Sequence, residues 1–436
     1  MEIVKKYVKL QNTVTHILQN ENGIMMENSK EKNCDNINEN KIIEIEEEFG
    51  NEHLNDPFNP DDISIDSKVI PMETFLRRIQ QGTINLNPDF QRAEVWTKEK
   101  KSQLIESLML NIPLPMFYVS ADEKANYTVV DGLQRLSTIK NFVLGEEFLK
   151  TKDEKLKGKG FKLQDLEFWD DYNGKTFNEL PTHLYNRILE TEFQFTIVNP
   201  GTPEEVKRNI FKRINTGGLP LSSQEIRNSL YLGKSTELLK ELSFTTEFKT
   251  ATGGSIKSLR MEDKELILRF LGFLIRDYKF YKKTVNVDTF LSETMVIINA
   301  YPDFTSREFK KLVDKGDIIS NTITIDNIAN VKKIFTDAMT RTFLIFGKHN
   351  FRRSQDGYKK TINKCLFEMW GVLFSKLSDS EFQKLLDNRD KIEEEFEEVD
   401  SDDVFEKAIF ENSMSQKVVE YRFLRIQSLI NKVLSC

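Results

Sequence analysis

The chain has 436 residues, of which 39% are hydrophobic and 30% charged, and this is the composition of a folded, water-soluble protein. The net charge of -7 argues against a surface coated with basic residues for indiscriminate nucleic-acid binding, although a local patch could still contact DNA. The sequence has no apolar run of about 18 residues, no secretory signal and only scattered cysteines. We therefore expect no membrane span and a reducing, cytoplasmic location.

Three regions follow one another along the chain. Residues 1–60 are rich in Asn, Glu and Lys and end close to an acidic run, which predicts a flexible acidic arm. Strand and helix patterns alternate over residues 61–235 and predict a small α/β domain. Over residues 236–436 the apolar residues keep helical spacing, so we expect a mostly helical domain there.

The individual elements follow from apolar periodicity and capping residues. Alternating residues predict strands at Thr83–Leu86, Met116–Ser120, Tyr127–Val130 and Glu192–Asn199. Helices are expected after Thr97, after Gly132, from Pro203 and after Ser222. Ser222 and Glu225 have the spacing of a capping box, and Gly233 is expected to end that helix. The periodic segments of the helical region are 261–281, 323–347, 358–377, 379–398 and 414–434.

A first polar segment, NPDFQR at residues 87–92, follows the short strand predicted at Thr83–Leu86. In α/β folds the residues at strand ends commonly contact ligands. Asp89, Gln91 and Arg92 are therefore candidate ligand contacts. An ordinary solvated turn would explain the same residues.

A second polar segment, VVDGLQR at residues 129–135, places an Asp-Gly turn between a strand and a helix. Free N–H groups at a helix start attract phosphate, and glycine lets an anion approach closely. Arg135 could clamp a phosphate, Asp131 could orient a ribose hydroxyl or a divalent cation, and Gln134 could bind base, sugar or water. Alternatively, Asp131 only caps the helix and Arg135 pairs with a surface carboxylate. The spacing leaves both interpretations open.

A third segment runs from Phe211 to Asn228 and includes two adjacent glycines. Its polar residues could line a nucleotide or nucleic-acid groove, since the last three share one helix face. They could equally form a solvated face, with a helix cap before the glycines. The candidate contacts in this segment are Arg213, Asn215, Gln224, Arg227 and Asn228.

Several common catalytic signatures are missing. The sequence has no GxxxxGK[ST] phosphate-binding loop, because the Gly174-Lys175-Thr176 stretch lacks the upstream glycine. HExxH and GxSxG are also missing, and the four histidines are scattered. These observations argue against a P-loop NTPase, a zinc protease, an α/β-hydrolase and a multi-histidine metal site.

The three polar segments together resemble the domain that opens GmrSD-type modification-dependent restriction enzymes. The stretches RMEDKELILRFLGF (260–273) and KHNFRR (348–353) continue the resemblance, which covers about residues 60–435. It implies an α+β fold similar to ParB and sulfiredoxin, with a small α/β nucleotide-binding core followed by a mostly α-helical C-terminal domain.

The resemblance also assigns roles to the second segment. The family's Asp-Gly-Gln-Gln-Arg loop is linked to nucleoside triphosphate binding and hydrolysis, and Asp131, Gly132, Gln134 and Arg135 match it. Leu133 replaces the first glutamine, which brings hydrolysis into question but permits binding. The resemblance implies that Asp131, Gln134 and Arg135 are catalytic, that the cofactor is a nucleoside triphosphate with Mg²⁺, and that Asp131 holds the metal.

The function expected from the resemblance is a nucleotide-binding protein, an NTPase, that senses foreign or modified DNA in restriction-type defence. Restriction members of the family carry an additional HNH-type nuclease domain, whose motif does not occur in this sequence. DNA and a partner nuclease are therefore the expected partners. One alternative is a metal-dependent DNA endonuclease that uses Asp89 and Asp131. The other is a non-catalytic nucleotide- or DNA-binding adaptor, which Leu133 favours.

Overall fold

The computed structural model describes residues 42–46, 63–86, 96–214, 222–256, 260–281, 286–354, 361–410 and 415–435. The predicted arm over residues 1–60 lies almost entirely outside this part of the chain. The strands are β1 Ile42–Ile43, β2 Ile65–Pro71, β3 Ile84–Asn85, β4 Phe117–Ala121, β5 Tyr127–Asp131, β6 Glu192–Val198 and β7 Ser255–Ile256.

The helices of the first half surround a sheet, and those of the second half pack on one another. The first set is α1 Met72–Gln80, α2 Lys98–Met109, α3 Leu133–Leu144, α4 Glu146–Thr151, α5 Thr182–Glu190, α6 Glu204–Ile214 and α7 Ser223–Leu230. The second set is α8 Lys234–Ser243, α9 Thr246–Thr252, α10 Glu262–Ile275, α11 Val287–Ala300, α12 Arg307–Asp314, α13 Ile328–Phe346, α14 Lys364–Ser375, α15 Asp379–Asp387, α16 Arg389–Asp400, α17 Asp403–Phe410 and α18 Gln416–Leu434.

A five-stranded mixed sheet with the order β2-β6-β4-β5-β3 organises the first half. Strand β6 pairs antiparallel with β2 and parallel with β4, while β5 pairs antiparallel with β4 and parallel with β3. Phe193, Phe195 and Ile197 alternate along β6 and are all buried, as their spacing predicts. They face a core that also holds apolar residues of α1, α2, α3 and α5.

The other face of the sheet carries a smaller apolar cluster. Val130 of β5 and Val198 of β6 meet Phe211 of α6 and Ile226 of α7. Helices α6 and α7 therefore both lie against β5, the strand that ends at Asp131. This packing brings the second and third polar segments to one strand.

The helical half has its own core, which extends from Tyr231 to Val433. Residues 266–275 of α10 are all buried, because this helix is enclosed by α8, α11 and α14. The predicted α+β class is confirmed. The likeness to ParB and sulfiredoxin and the three domain limits stay predictions.

Two elements differ from their sequence predictions. The helix that begins after Ser222 ends at Leu230, and Gly233 precedes α8 instead of ending α7. The periodic segment 379–398 is two helices that meet at Asn388. Among the described residues, none of the helices is both long enough and apolar enough to span a lipid bilayer.

Candidate functional site

The turn between β5 and α3 depends on a glycine. Gly132 has φ of 90° and ψ of 9°, a left-handed conformation that side chains with a Cβ disfavour. A Cβ atom at Gly132 would lie 2.3 Å from Cδ1 of Phe117, so β4 also excludes a larger residue. The chain can therefore pass from Asp131 directly into α3, whose first turn has no side-chain cap.

Arg135 folds back over this turn. Its Nη1 donates to the carbonyl oxygen of Pro115, and its Nη2 lies 3.4 Å from the carbonyl oxygen of Met116 and 3.2 Å from Oδ2 of Asp131. The guanidinium carbon lies 4.5 Å from the centre of the Phe117 ring. Burial lowers the pKa of Arg135, and the Asp131 carboxylate opposes this effect. The carboxylate partner of Arg135 is thus Asp131, within the same turn.

The two residues between Asp131 and Arg135 on the helix have different surroundings. Leu133 is 8% exposed and belongs to the core on the α1–α3 side of the sheet. Gln134 is half-buried, and its side chain makes no hydrogen bond within the described part of the chain. Position 133 therefore contributes to packing, whereas Gln134 keeps its donors and its acceptor available.

The row of polar residues on α7 is buried. Gln224, Arg227 and Asn228 are each no more than 1% exposed, so this row is not a solvated face. Nε of Arg227 donates to Oε1 of Gln224 at 2.9 Å. Its two terminal nitrogens reach Asp288 on α11 and, at 3.4 Å, Oε2 of Glu265 on α10. Arg227 thus links α7 to the helical half.

Some buried amide atoms on this face have no hydrogen-bond partner among the described residues. Nε2 of Gln224 and both polar atoms of Asn228 are buried, and none of them has a hydrogen-bond partner among the described residues. A buried polar atom without a partner typically costs about 1–3 kcal/mol, so native proteins satisfy nearly all of them with protein, water or ligand. This face of α7, from which Arg227 reaches the helical half, therefore has unmet hydrogen-bonding capacity among the described residues.

The structure leaves several predicted contacts untested. Asp89, Gln91, Arg92 and Asn215 lie outside the described residues, and so does the side chain of Arg213, although its backbone belongs to α6. Their roles stay predictions.

Asp131 is the predicted metal ligand. Its carboxylate is 33% exposed. No group of three or more potential metal ligands occurs among the residues that the structure describes. The endonuclease alternative also requires Asp89, which is not among them.

Sequence reasoning missed the acidic partners of Arg227. Glu265 also accepts a hydrogen bond from Nζ of Lys364 at 2.9 Å. Burial alone would raise the pKa of Glu265, but the positive charges of Lys364 and Arg227 outweigh burial and lower it. Because Glu265 and Asp288 lie 38 and 61 residues from Arg227, no local signal indicates these pairs.

Comparison with known proteins gives one family. Residues 72–232 match the family model of the GmrSD restriction endonuclease N-terminal domain. The matched range begins at α1 and ends just after α7, so it contains every candidate residue named above. The curated proteins contain no match to the chain.

Proposed function

Because residues 72–232 form a domain of the GmrSD restriction endonuclease N-terminal family, as the three motifs indicated, we propose that the chain binds a nucleoside triphosphate with Mg²⁺ and uses it in restriction-type DNA defence. The family description supports restriction-type defence and DNA as the target. Nucleotide binding, hydrolysis, the sensing of foreign or modified DNA and a partner nuclease are the further steps of this proposal.

The observation that carries the proposal is a set of buried amide atoms on α7 that have no hydrogen-bond partner in the described part of the chain. The side chain of Asn228 is fully buried, yet neither its donor nor its acceptor has a partner among the described residues. An amide group can pair with the polar edge of a base through one donor and one acceptor. One turn earlier, Nε2 of Gln224 also lacks a partner among the residues that the structure describes, while Nε of Arg227 donates to the oxygen of Gln224. These two amides are suited to hold the base or the sugar.

The turn at Gly132 supplies groups suited to the phosphates. The first N–H groups of α3 lie at the positive end of the helix dipole. Arg135 adds a positive charge next to them. Mg²⁺ bound to a nucleotide commonly takes one or two protein carboxylates, with phosphate oxygens and water completing the shell. Asp131 can serve as such a carboxylate.

Hydrolysis is assigned to Asp131, Gln134 and Arg135. Gln134 is suited to orient the attacking water, since its amide is half-buried and unused among the described residues. A second candidate function is an adaptor that binds nucleotide or DNA without turnover. The leucine at position 133 favours this candidate, because its side chain contributes no polar group to catalysis.

The first experiment is titration calorimetry of the full chain with ATP, GTP, CTP and UTP in the presence of Mg²⁺. Asn228→Leu should weaken binding by about tenfold or more, the value of one or two lost hydrogen bonds. Its free energy of unfolding should stay the same or rise, because the exchange removes buried polar atoms that have no partner. Asn330→Leu, at an exposed position of α13, is the matched control.

The outcomes separate a binding role from a structural one. Loss of stability without loss of affinity in Asn228→Leu would mean that the amide supports the fold. Failure of the wild-type chain to bind any of the four nucleotides would end the proposal.

Turnover is measured as phosphate release. Arg135→Ala should weaken nucleotide affinity by on the order of 1.5–3 kcal/mol, the value of a charge-assisted hydrogen bond. Tight binding without phosphate release in the wild-type chain would select the adaptor over the NTPase.

A further inference from the structure

Strand β2 forms an open edge of the five-stranded sheet. It pairs with β6 on one side, and no strand in the described part of the chain pairs with its other side. All residues from Ile65 to Val69 are exposed, and Ile65 and Val69 remain 44% and 53% exposed. An edge strand presents a row of unpaired N–H and C=O groups, which is a template for pairing with another chain.

The hydrogen-bonding polarity of this edge follows from the ladder with β6. Asn199 donates to the carbonyl of Ser64, and Met72 donates to the carbonyl of Thr191, so the even-numbered residues of β2 bond to β6. The N–H and C=O groups of Ile65, Ser67 and Val69 consequently point to the open side. Pro71 lacks an N–H group, which limits an added ladder to residues 65–69.

The sequence of the strand is self-complementary about Ser67. In an antiparallel pair of two copies centred on this residue, Ile65 faces Val69 and Asp66 faces Lys68. The hydrogen-bonded positions would be 65, 67 and 69, which are the residues whose backbone groups point to the open side. Asp66 and Lys68 would meet at the non-hydrogen-bonded positions, where opposed side chains come closest.

The two charged side chains of this strand, Asp66 and Lys68, form no ion pair within the described part of the chain, and both are exposed. Pairing by a two-fold axis would produce the Asp66–Lys68 contact twice and would cover Ile65 and Val69 of both copies. Opposite charges and apolar side chains would therefore be matched at the same register.

We propose that β2 is a homodimer interface, in which two copies of the chain join their sheets through antiparallel pairing of residues 65–69. The occupant of the edge is a second copy of the chain. The order Asp-Ser-Lys places opposite charges face to face when two copies of the strand pair antiparallel.

The test is sedimentation equilibrium of the full chain at micromolar concentrations. The wild-type chain should be a dimer. Asp66→Lys and Lys68→Asp should each weaken dimerisation by about tenfold, because each places like charges opposite one another at two symmetric positions. The double exchange Asp66→Lys with Lys68→Asp should restore dimerisation close to the wild-type level.

Two further variants complete the design. Ser67→Pro removes an N–H group that points away from β6, so it should break the dimer while circular dichroism keeps the wild-type spectrum. Lys310→Asp, at an exposed position of α12, makes the same charge change as Lys68→Asp outside the sheet and should leave the dimer unchanged. A monomeric wild-type chain, or a dimer that both charge reversals leave intact, would overturn the proposal.

Discussion

Arg135 and Arg227 both come from polar motifs, but the structure surrounds them differently. The side chain of Arg135 is 14% exposed, lies at the end of the sheet and reaches one carboxylate and two carbonyl groups. Arg227 is 1% exposed and lies between two carboxylates of the helical half. The first guanidinium has carbonyl partners that a ligand could replace, while the second is neutralised by two carboxylates of the protein.

This difference shows that a residue in a polar motif is not necessarily a ligand contact. An enclosed arginine with two acidic partners holds helices together and positions its neighbour Gln224. An arginine beside a glycine turn can exchange a carbonyl partner for a phosphate. The variants below measure this contrast between the helix junctions and the turn at the sheet end.

The largest effect is expected at a buried ion cluster inside the helical half. Glu368 bonds to Arg269 at 2.8 Å and also to Arg422, and all three side chains are no more than 1% exposed. Glu368→Gln should lower the free energy of unfolding by about 3–5 kcal/mol, because two arginines lose their counter-charge.

Urea denaturation measures this loss. The control is Glu147→Gln, which removes an exposed pair with Lys150 and should leave the urea midpoint close to that of wild type. Equal losses in the two variants would contradict a special role for enclosed ion pairs.

The next effect is expected at Arg227. Arg227→Ala should lower the free energy of unfolding by about 3 kcal/mol, since Asp288 and Glu265 would keep their charges without this partner. Arg307→Ala breaks the exposed pair with Glu123 and should change the free energy of unfolding by less than about 1 kcal/mol. A fully stable Arg227→Ala variant that no longer binds nucleotide would reverse the comparison and make Arg227 the ligand contact.

A smaller effect is expected at the sheet-end turn. Gly132→Ala should lower the free energy of unfolding by about 2 kcal/mol, because the left-handed backbone and the contact with Phe117 both oppose a Cβ. Gly174→Ala is the matched control, since Gly174 also has a positive φ of 83° but no atom lies within 4 Å of the position that its Cβ would take. Thermal unfolding is measured for both variants. The difference between their melting temperatures reports the cost of the contact between the added Cβ and Phe117. Identical melting temperatures would mean that Phe117 moves aside freely.

The smallest effect is a pH dependence. Burial raises the pKa of Asp263, and its Oδ1 has no hydrogen-bond partner among the described residues. A carboxyl whose pKa is higher in the folded state favours folding below its unfolded pKa and loses this contribution as pH rises through the folded value. Asp263→Asn should therefore be more stable than wild type at neutral pH, by up to about 1 kcal/mol, with a smaller gain near about pH 4.

Asp122, in the α/β half, should change stability with pH in the opposite direction to Asp263. Burial would raise its pKa, but hydrogen bonds from Asn126 and Lys124 outweigh burial and lower it. Asp122→Asn should therefore be less stable than wild type at neutral pH, and the difference should vanish in acid. Urea unfolding across this pH range measures both variants, and parallel pH profiles for the two would contradict the assignment.

The sequence predicts much of the local structure, because capping residues and apolar periodicity act over only a few residues. The capping box of Ser222 and Glu225 forms as predicted, and the alternation along β6 places its phenylalanines in the core. The Asp-Gly turn before α3 also follows from the sequence, because glycine adopts its left-handed backbone conformation without strain. Hydrogen bonds within one turn and a two-residue period need no information from distant parts of the chain.

Only the tertiary structure decided which charges meet. Arg269 and Glu368 are 99 residues apart. The sequence alone does not show which of its 69 acidic residues pairs with Arg269. Tertiary packing also placed Gly233 beside Asn299, at the start of α8. The burial of Gln224 and Asn228 likewise depends on α7 packing against the helical half, where Arg227 of the same face meets Asp288 and Glu265. The packing of whole helices determines such partners. The energy of this packing is spread over many contacts between distant residues, so a local sequence pattern does not predict it.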